Sequence, residues 1–135
     1  MSDALEEGTQ LQLDWTKLDR VAGSHVLPCA VQNADTDEVI LVSYVNEEAL
    51  HRSIETGSAV FWSTSRNELW EKGATSGETF DLVEVRVNCE QNSLVFMVRP
   101  RRGGICHTRN RAGEPRNCYY RRLDLESMSL QNLDP

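Results

Sequence analysis

The chain has 135 residues, 39% of them apolar, and a net charge of -7. That length suits one domain with a genuine core. No apolar run is long enough to cross a bilayer, and no basic then apolar leader opens the chain, so a cytoplasmic protein with reduced thiols is expected. Charge is unevenly spread: residues 1 to 60 carry eleven acids against three bases, whereas residues 99 to 122 carry eight arginines and the single acid Glu114. One basic segment in an acidic protein fits a small anionic ligand, or a loop that balances an acidic neighbour. It does not provide the wide basic surface that a long nucleic acid requires.

Taken in chain order, Met1 to Gln10 is polar and acidic and is expected to fray. Val26 to Val31 and Val39 to Val45 read as strands of a hairpin, joined by the turn-rich Asn33 to Asp37. Asn46 is a helix cap followed by Glu47 and Glu48 in the first turn, and Gly57 is a natural stop, which predicts a helix over Glu47 to Thr56. Its buried stripe would be Ala49, Leu50 and Ile54, with His51 exposed. Ala59 to Ser63 reads as a short strand. Thr64 to Gly77 is polar apart from Leu69 and Trp70.

Phe80 to Asn88 and Ser93 to Arg99 are the strongest strand patterns, and Tyr119 to Leu123 is a short last one. If the first of them continues through Cys89, then Val83, Val85, Val87 and Cys89 share the core-facing side, while Asn88, Glu90 and Asn92 point away from it. Together these elements predict an α+β domain that is mainly β.

Cys89, Cys106 and Cys118 are separated by 17 and 12 residues, unlike the close cysteine pairs of zinc ribbons. Three thiolates leave the fourth zinc position to water, the pattern of a catalytic site. Each cysteine is equally compatible with packing as a small hydrophobe, which is the reading for Cys29 inside its apolar strand. Cys106 stands out because Gly103-Gly104 permits close backbone approach and His107 places an imidazole beside the thiol. Arg66, Lys72, Thr75 and Ser76 supply the cations and hydroxyls that hold a phosphate, although the same residues make an ordinary polar turn. Trp62 and Trp70 read as core or interface anchors.

Five ordered blocks carry a resemblance: Leu41-Val42-Ser43-Tyr44-Val45-Asn46-Glu47-Glu48-Ala49-Leu50, Phe61-Trp62-Ser63-Thr64-Ser65-Arg66, Leu69-Trp70-Glu71-Lys72-Gly73-Ala74-Thr75-Ser76-Gly77, Gly103-Gly104-Ile105-Cys106-His107-Thr108, and Cys118-Tyr119-Tyr120-Arg121. From about Leu13 to Leu123 the chain resembles phosphoribosyl-AMP cyclohydrolase, the third enzyme of histidine biosynthesis. On that likeness an acidic N-terminus spans 1–12, one domain spans 13–123 and a tail spans 124–135. The resemblance implies an intertwined homodimer with one zinc per subunit, held by Cys89 of one subunit and Cys106 and Cys118 of the other. It further implies hydrolysis of the N1–C6 bond of the adenine ring in 1-(5-phosphoribosyl)-AMP, giving the formimino aminoimidazole carboxamide ribonucleotide.

Within that implied chemistry His107 is the candidate proton carrier, and Arg66, Lys72, Thr75 and Ser76 are candidates for substrate phosphate. Two departures from the family pattern stand out. The family's magnesium motif has alternate aspartates, whereas this chain has Asn88, Glu90 and Asn92, with one carboxylate among them. The stretch between Cys106 and Cys118 is also longer, through Asn110 to Pro115. Two other functions fit the residues: a diverged paralogue acting on a related N1-substituted purine or amidine, and a non-catalytic zinc module with His107 as fourth ligand.

Overall fold

A computed structural model describes residues 6–10, 25–74, 77–89, 91–101 and 105–135. Thr75, Ser76, Glu90, Gly103 and Gly104 lie outside the described residues. Among the described residues the elements follow in the order β1 Leu27–Asn33, β2 Val39–Val45, α1 Glu47–Thr56, β3 Val60–Ser63, β4 Glu68–Glu71, β5 Phe80–Val87, β6 Leu94–Pro100, β7 Arg121–Leu123 and β8 Leu130–Asn132. The mainly β, α+β expectation holds. Among the described residues no helix is long and apolar enough to cross a membrane.

The main sheet runs β2-β1-β6-β5, with β1 and β2 antiparallel as predicted and β1 parallel to β6. The antiparallel hairpin needs only its own turn, whereas the parallel pair depends on chain returning from far away, so local pattern does not announce it. Cys29 and Val31 of β1, Leu41 and Val45 of β2, and Phe96 and Val98 of β6 are buried together with Phe61 and Phe80. Phe61 connects the layers, its ring centre lying 5.3 Å from that of Trp70 and 5.9 Å from that of Phe96.

The helix spans the predicted residues because both ends are set locally. The Asn46 side chain accepts the Ala49 amide at 2.8 Å, and Gly57, at φ 72°, returns its N–H to the Ser53 carbonyl. Its buried stripe differs from the expectation: Ser53 is fully buried and Ile54 is 63% exposed. A hydroxyl can take that core position because it donates to the Ala49 carbonyl at 2.8 Å and accepts the Val60 amide at 2.9 Å, tying α1 to β3. Leu50 packs against the core as expected.

Two strands lack an obvious sequence signature. β4 falls inside the stretch read as polar and places Trp70 opposite Phe61 and Leu69 opposite Trp62. β8 lies in the 124–135 segment and pairs with β7. A third difference concerns β5, where the register shifts between Leu82 and Glu84. That bulge breaks simple alternation, leaving Val83 exposed while Val85 packs on the core. β5 also ends at Val87, so Cys89 is exposed in the following turn instead of pointing into the core.

Candidate active site

Cys106 and Cys118 are brought together by a hairpin-like excursion of the intervening residues. The Cys106 amide donates to the Arg116 carbonyl at 3.0 Å, and the Arg116 amide returns to the Thr108 carbonyl at 3.2 Å. A bridge pairs Arg109 with Pro115, and Asn110 closes the tip by accepting the Glu114 amide on its side chain at 2.9 Å. Residues 110 to 115 thus form the turn of the hairpin. The Cys118 amide is anchored to the Ile40 carbonyl of β2 at 3.3 Å, which docks the thiol pair on the main sheet.

The hairpin is held down by a buried cation. Arg116 is only 3% exposed, and its guanidinium donates to Glu7 at 2.5 Å and to the Asp134 carbonyl at 2.8 Å. It also lies 4.5 Å from the Tyr120 ring centre. Burying a charge is costly without such partners, and here the requirement is met by an acid, a carbonyl and an aromatic face. Arg99 with Asp35, Arg101 with Asp81, and Arg109 with Glu78 are also paired. Much of the basic segment thus balances acids of the same chain.

The two thiols share a hydrogen bond, and it moves their acidities in opposite directions. That bond holds Cys106 well below the ordinary thiol range, with further help from Thr108 and His107, and it pushes Cys118 up. The two thiols therefore titrate as a pair, which gives up its first proton more readily than its second. Thr108 lies with its hydroxyl 3.2 Å from the Cys106 sulfur and its amide 3.5 Å from it. Lys72 is nearby: burial lowers its pKa, while negative charge at Glu78 and at the thiol pair opposes that effect. Its ammonium donates to the Glu78 carbonyl at 3.0 Å and lies 5.0 Å from the Phe80 ring centre.

His107 is 69% exposed in its side chain, and its Nε2 lies 2.9 Å from Glu6 Oε1. The hydrogen bond to Glu6 raises its pKa above the usual histidine value, with Cys106 adding to that and burial opposing it. The sequence reading did not single out Glu6. His51 is exposed as expected and faces Glu47 at 3.8 Å.

Arg66 lies away from the thiol pair, at a cavity of about 260 Å³ lined by Val42 to Tyr44, Trp62 to Arg66 and Trp70. Its Nε is 3.3 Å from the Ser63 hydroxyl, and its guanidinium is 3.4 Å from Glu68. Strand β2 carries both features, since Ile40 receives the Cys118 amide and Val42 to Tyr44 line this cavity.

Among the described residues no group of three His, Cys, Asp or Glu side chains converges on one point. Zinc nevertheless suits the donors present: two neighbouring thiols, Cys106 with its acidity raised, and a third exposed at Cys89. Of the three magnesium candidates, Glu90 lies outside the described residues and the two asparagines are engaged with each other. Asn88 Oδ1 accepts the Asn92 amide at 2.9 Å and the Ser93 amide at 3.0 Å, so that oxygen closes the β5–β6 turn. Asn92 Oδ1 accepts in turn from the Asn88 side chain at 2.6 Å. Amide oxygens already engaged in a turn make poor ligands for a hard dication that prefers carboxylate and water.

Residues 41–120 match the family model described as phosphoribosyl-AMP cyclohydrolase. A phosphoribosyl-AMP cyclohydrolase of Haloarcula marismortui is 42% identical over 109 residues, covering 81% of this chain and 86% of that protein. One from Caulobacter vibrioides is 47% identical over 94 residues, 69% of this chain and 64% of its own length. The histidine biosynthesis bifunctional protein of Aquifex aeolicus is 39% identical over 99 residues, which are 73% of this chain but 46% of that longer protein. The chain belongs to the phosphoribosyl-AMP cyclohydrolase family, hydrolases of histidine biosynthesis.

Proposed function

We propose that this protein opens the adenine ring of 1-(5-phosphoribosyl)-AMP between N1 and C6 in a zinc-dependent hydrolysis. The site is shared between two copies of the chain. The observation that carries this reading is the distribution of the thiols: Cys106 and Cys118 shift each other's acidity within one chain, while Cys89 is exposed in the turn after β5. A second copy supplies Cys89 to the pair. Val83 and Val87, 47% and 54% exposed on the same strand, provide apolar surface for that association.

Zinc held by the three thiolates would lower the pKa of water toward neutrality and stabilise negative charge as C6 becomes tetrahedral. N1 substitution leaves the ring electron-poor, so C6 is the carbon open to attack. His107 takes a proton from the attacking water and delivers one to N1 as the N1–C6 bond breaks, the two tasks an imidazole performs near neutral pH. Arg66, with the hydroxyl-lined wall of Ser63 to Ser65, binds a substrate phosphate. Lys72 supplies positive charge beside the thiol pair. The protein is expected to act in the cytoplasm, where its thiols stay reduced.

The test is turnover of 1-(5-phosphoribosyl)-AMP by purified zinc-loaded protein, together with X-ray absorption at the zinc edge. One zinc per chain, with three sulfur neighbours and one light atom, is expected. A zinc closed by four protein ligands, or a loaded dimer without turnover, overturns the reading.

A further inference from the structure

Glu6 is separated from His107 by 101 residues, yet its carboxylate is the group hydrogen-bonded to the imidazole. Its position is built by a strap. The Glu6 carbonyl accepts the Tyr120 hydroxyl, Glu7 pairs with buried Arg116, and the Gly8 carbonyl accepts from Arg121 at 3.0 Å. The Thr9 carbonyl then accepts the Leu130 amide at 2.6 Å. Four consecutive residues are therefore anchored on the segment that carries Cys106 and Cys118, and the Glu6 side chain is 21% exposed against 69% for His107.

An exposed imidazole with no such anchor can rotate and carry its proton on either nitrogen. A carboxylate is an acceptor only, so a neutral ring that meets it at Nε2 presents N–H there and leaves Nδ1 bare. We propose that Glu6 is a positioning residue for His107, holding the ring with its proton on Nε2 so that Nδ1 is the nitrogen that takes the proton from the attacking water. The proposal rests on the reading of His107 as the proton carrier. One water proton moves to Nδ1, the imidazolium is held against the Glu6 carboxylate, and that Nδ1 proton passes to the departing N1; the second leaves the C6 hydroxyl as the carbonyl forms and completes the exocyclic NH2 of the carboxamide. The ring returns to its starting tautomer, and nothing else is consumed.

The experiment is a double-mutant cycle on full-length zinc-loaded protein with 1-(5-phosphoribosyl)-AMP, using Glu6→Ala, His107→Ala and the double variant. Glu6→Ala is expected to lower kcat about ten- to hundredfold, the usual loss when a group that orients a functional residue is removed. In the His107→Ala background the same change is expected to cost nothing more. Nitrogen-15 spectra of the His107 ring supply a readout that folding alone does not move: proton on Nε2 in the parent, and a mixed tautomer population in Glu6→Ala. Glu6→Gln, which keeps the strap's size, guards against a folding defect and is expected to retain part of the tautomer preference. An unchanged or raised kcat in Glu6→Ala, an undiminished effect of Glu6→Ala without His107, or the same tautomer in parent and variant overturns the proposal. Full turnover by His107→Ala overturns instead the reading of His107 on which it rests.

Discussion

The Arg116 carbonyl accepts the Cys106 amide at 3.0 Å, tying the first thiol of the contact pair to a residue two positions before the second. The same arginine has its guanidinium buried between Glu7, the Asp134 carbonyl and Tyr120. A residue outside the thiol pair therefore keeps the two sulfurs together, because displacing its side chain would leave a charge unpaired away from water.

Arg116→Ala is expected to cost about 1–2 kcal/mol, from the lost hydrogen bonds to Glu7 and the Asp134 carbonyl, since the remaining Glu7 carboxylate reaches solvent. Zinc affinity should fall with stability, since the hairpin loses its anchor. Urea unfolding and competitive zinc titration measure the two. A variant with parental stability would show that the hairpin stands without this cation.

Gly73 offers a sharper backbone test. It sits at φ 76°, and a Cβ there would meet the Glu78 carbonyl carbon at 2.3 Å. Gly113 has a similar φ of 80° but nothing within 4 Å. Both alanine variants pay the left-handed backbone cost of about 1–2 kcal/mol. Gly73→Ala should lose clearly more, by displacing the segment that carries Lys72 and Glu78. Equal thermal shifts in the two variants would contradict this.

Sharing of the zinc site predicts complementation. Cys89→Ser and Cys106→Ser homodimers are each expected to be inactive, and a mixed population should recover activity because one of the two sites in a heterodimer is intact. Subunit exchange confirmed by mass spectrometry without recovered turnover counts against ligands from two chains.

Magnesium is expected to leave turnover unchanged in the zinc-loaded protein, because the Asn88 and Asn92 oxygens are engaged in their own turn. Asn88→Asp with Asn92→Asp should make binding of the ion measurable by calorimetry. Strong magnesium binding by the parent chain would show that the turn opens to admit it.

Burial pushes the Cys29 thiol up to about 12, against 9.0 for an unperturbed one. Its folded pKa is raised, so the neutral thiol's contribution is fully present below pH 9.0 and is lost as pH rises toward about 12. The parent should therefore lose more stability than Cys29→Ala over that window, whatever the variant's offset from its cavity. Parallel stability curves through the window would remove the effect.

The local elements were legible wherever the chemistry that forms them is adjacent in the chain. Asn46 and Gly57 set both ends of α1 without outside help, and alternating apolar residues marked β1, β2, β5 and β6. β4 was obscured because its two bulky residues, Leu69 and Trp70, sit among polar ones and gain a partner only when β3 lies alongside. Ile54 was expected inside, but the buried position is Ser53, whose hydroxyl bonds to Ala49 and to Val60, the second of which comes from another element.

By itself the sequence determined the residue types, the local strands and helix, and the family, through ordered blocks that need no knowledge of contacts. Tertiary structure decided which groups meet. The end of β5 at Val87 left Cys89 exposed in the turn that follows. The hairpin beneath Arg116 joined Cys106 to Cys118, and the N-terminal strap carried Glu6 to His107. Each of these depends on register or on a buried charge satisfied by distant chain, and neither is written in the spacing of neighbouring residues.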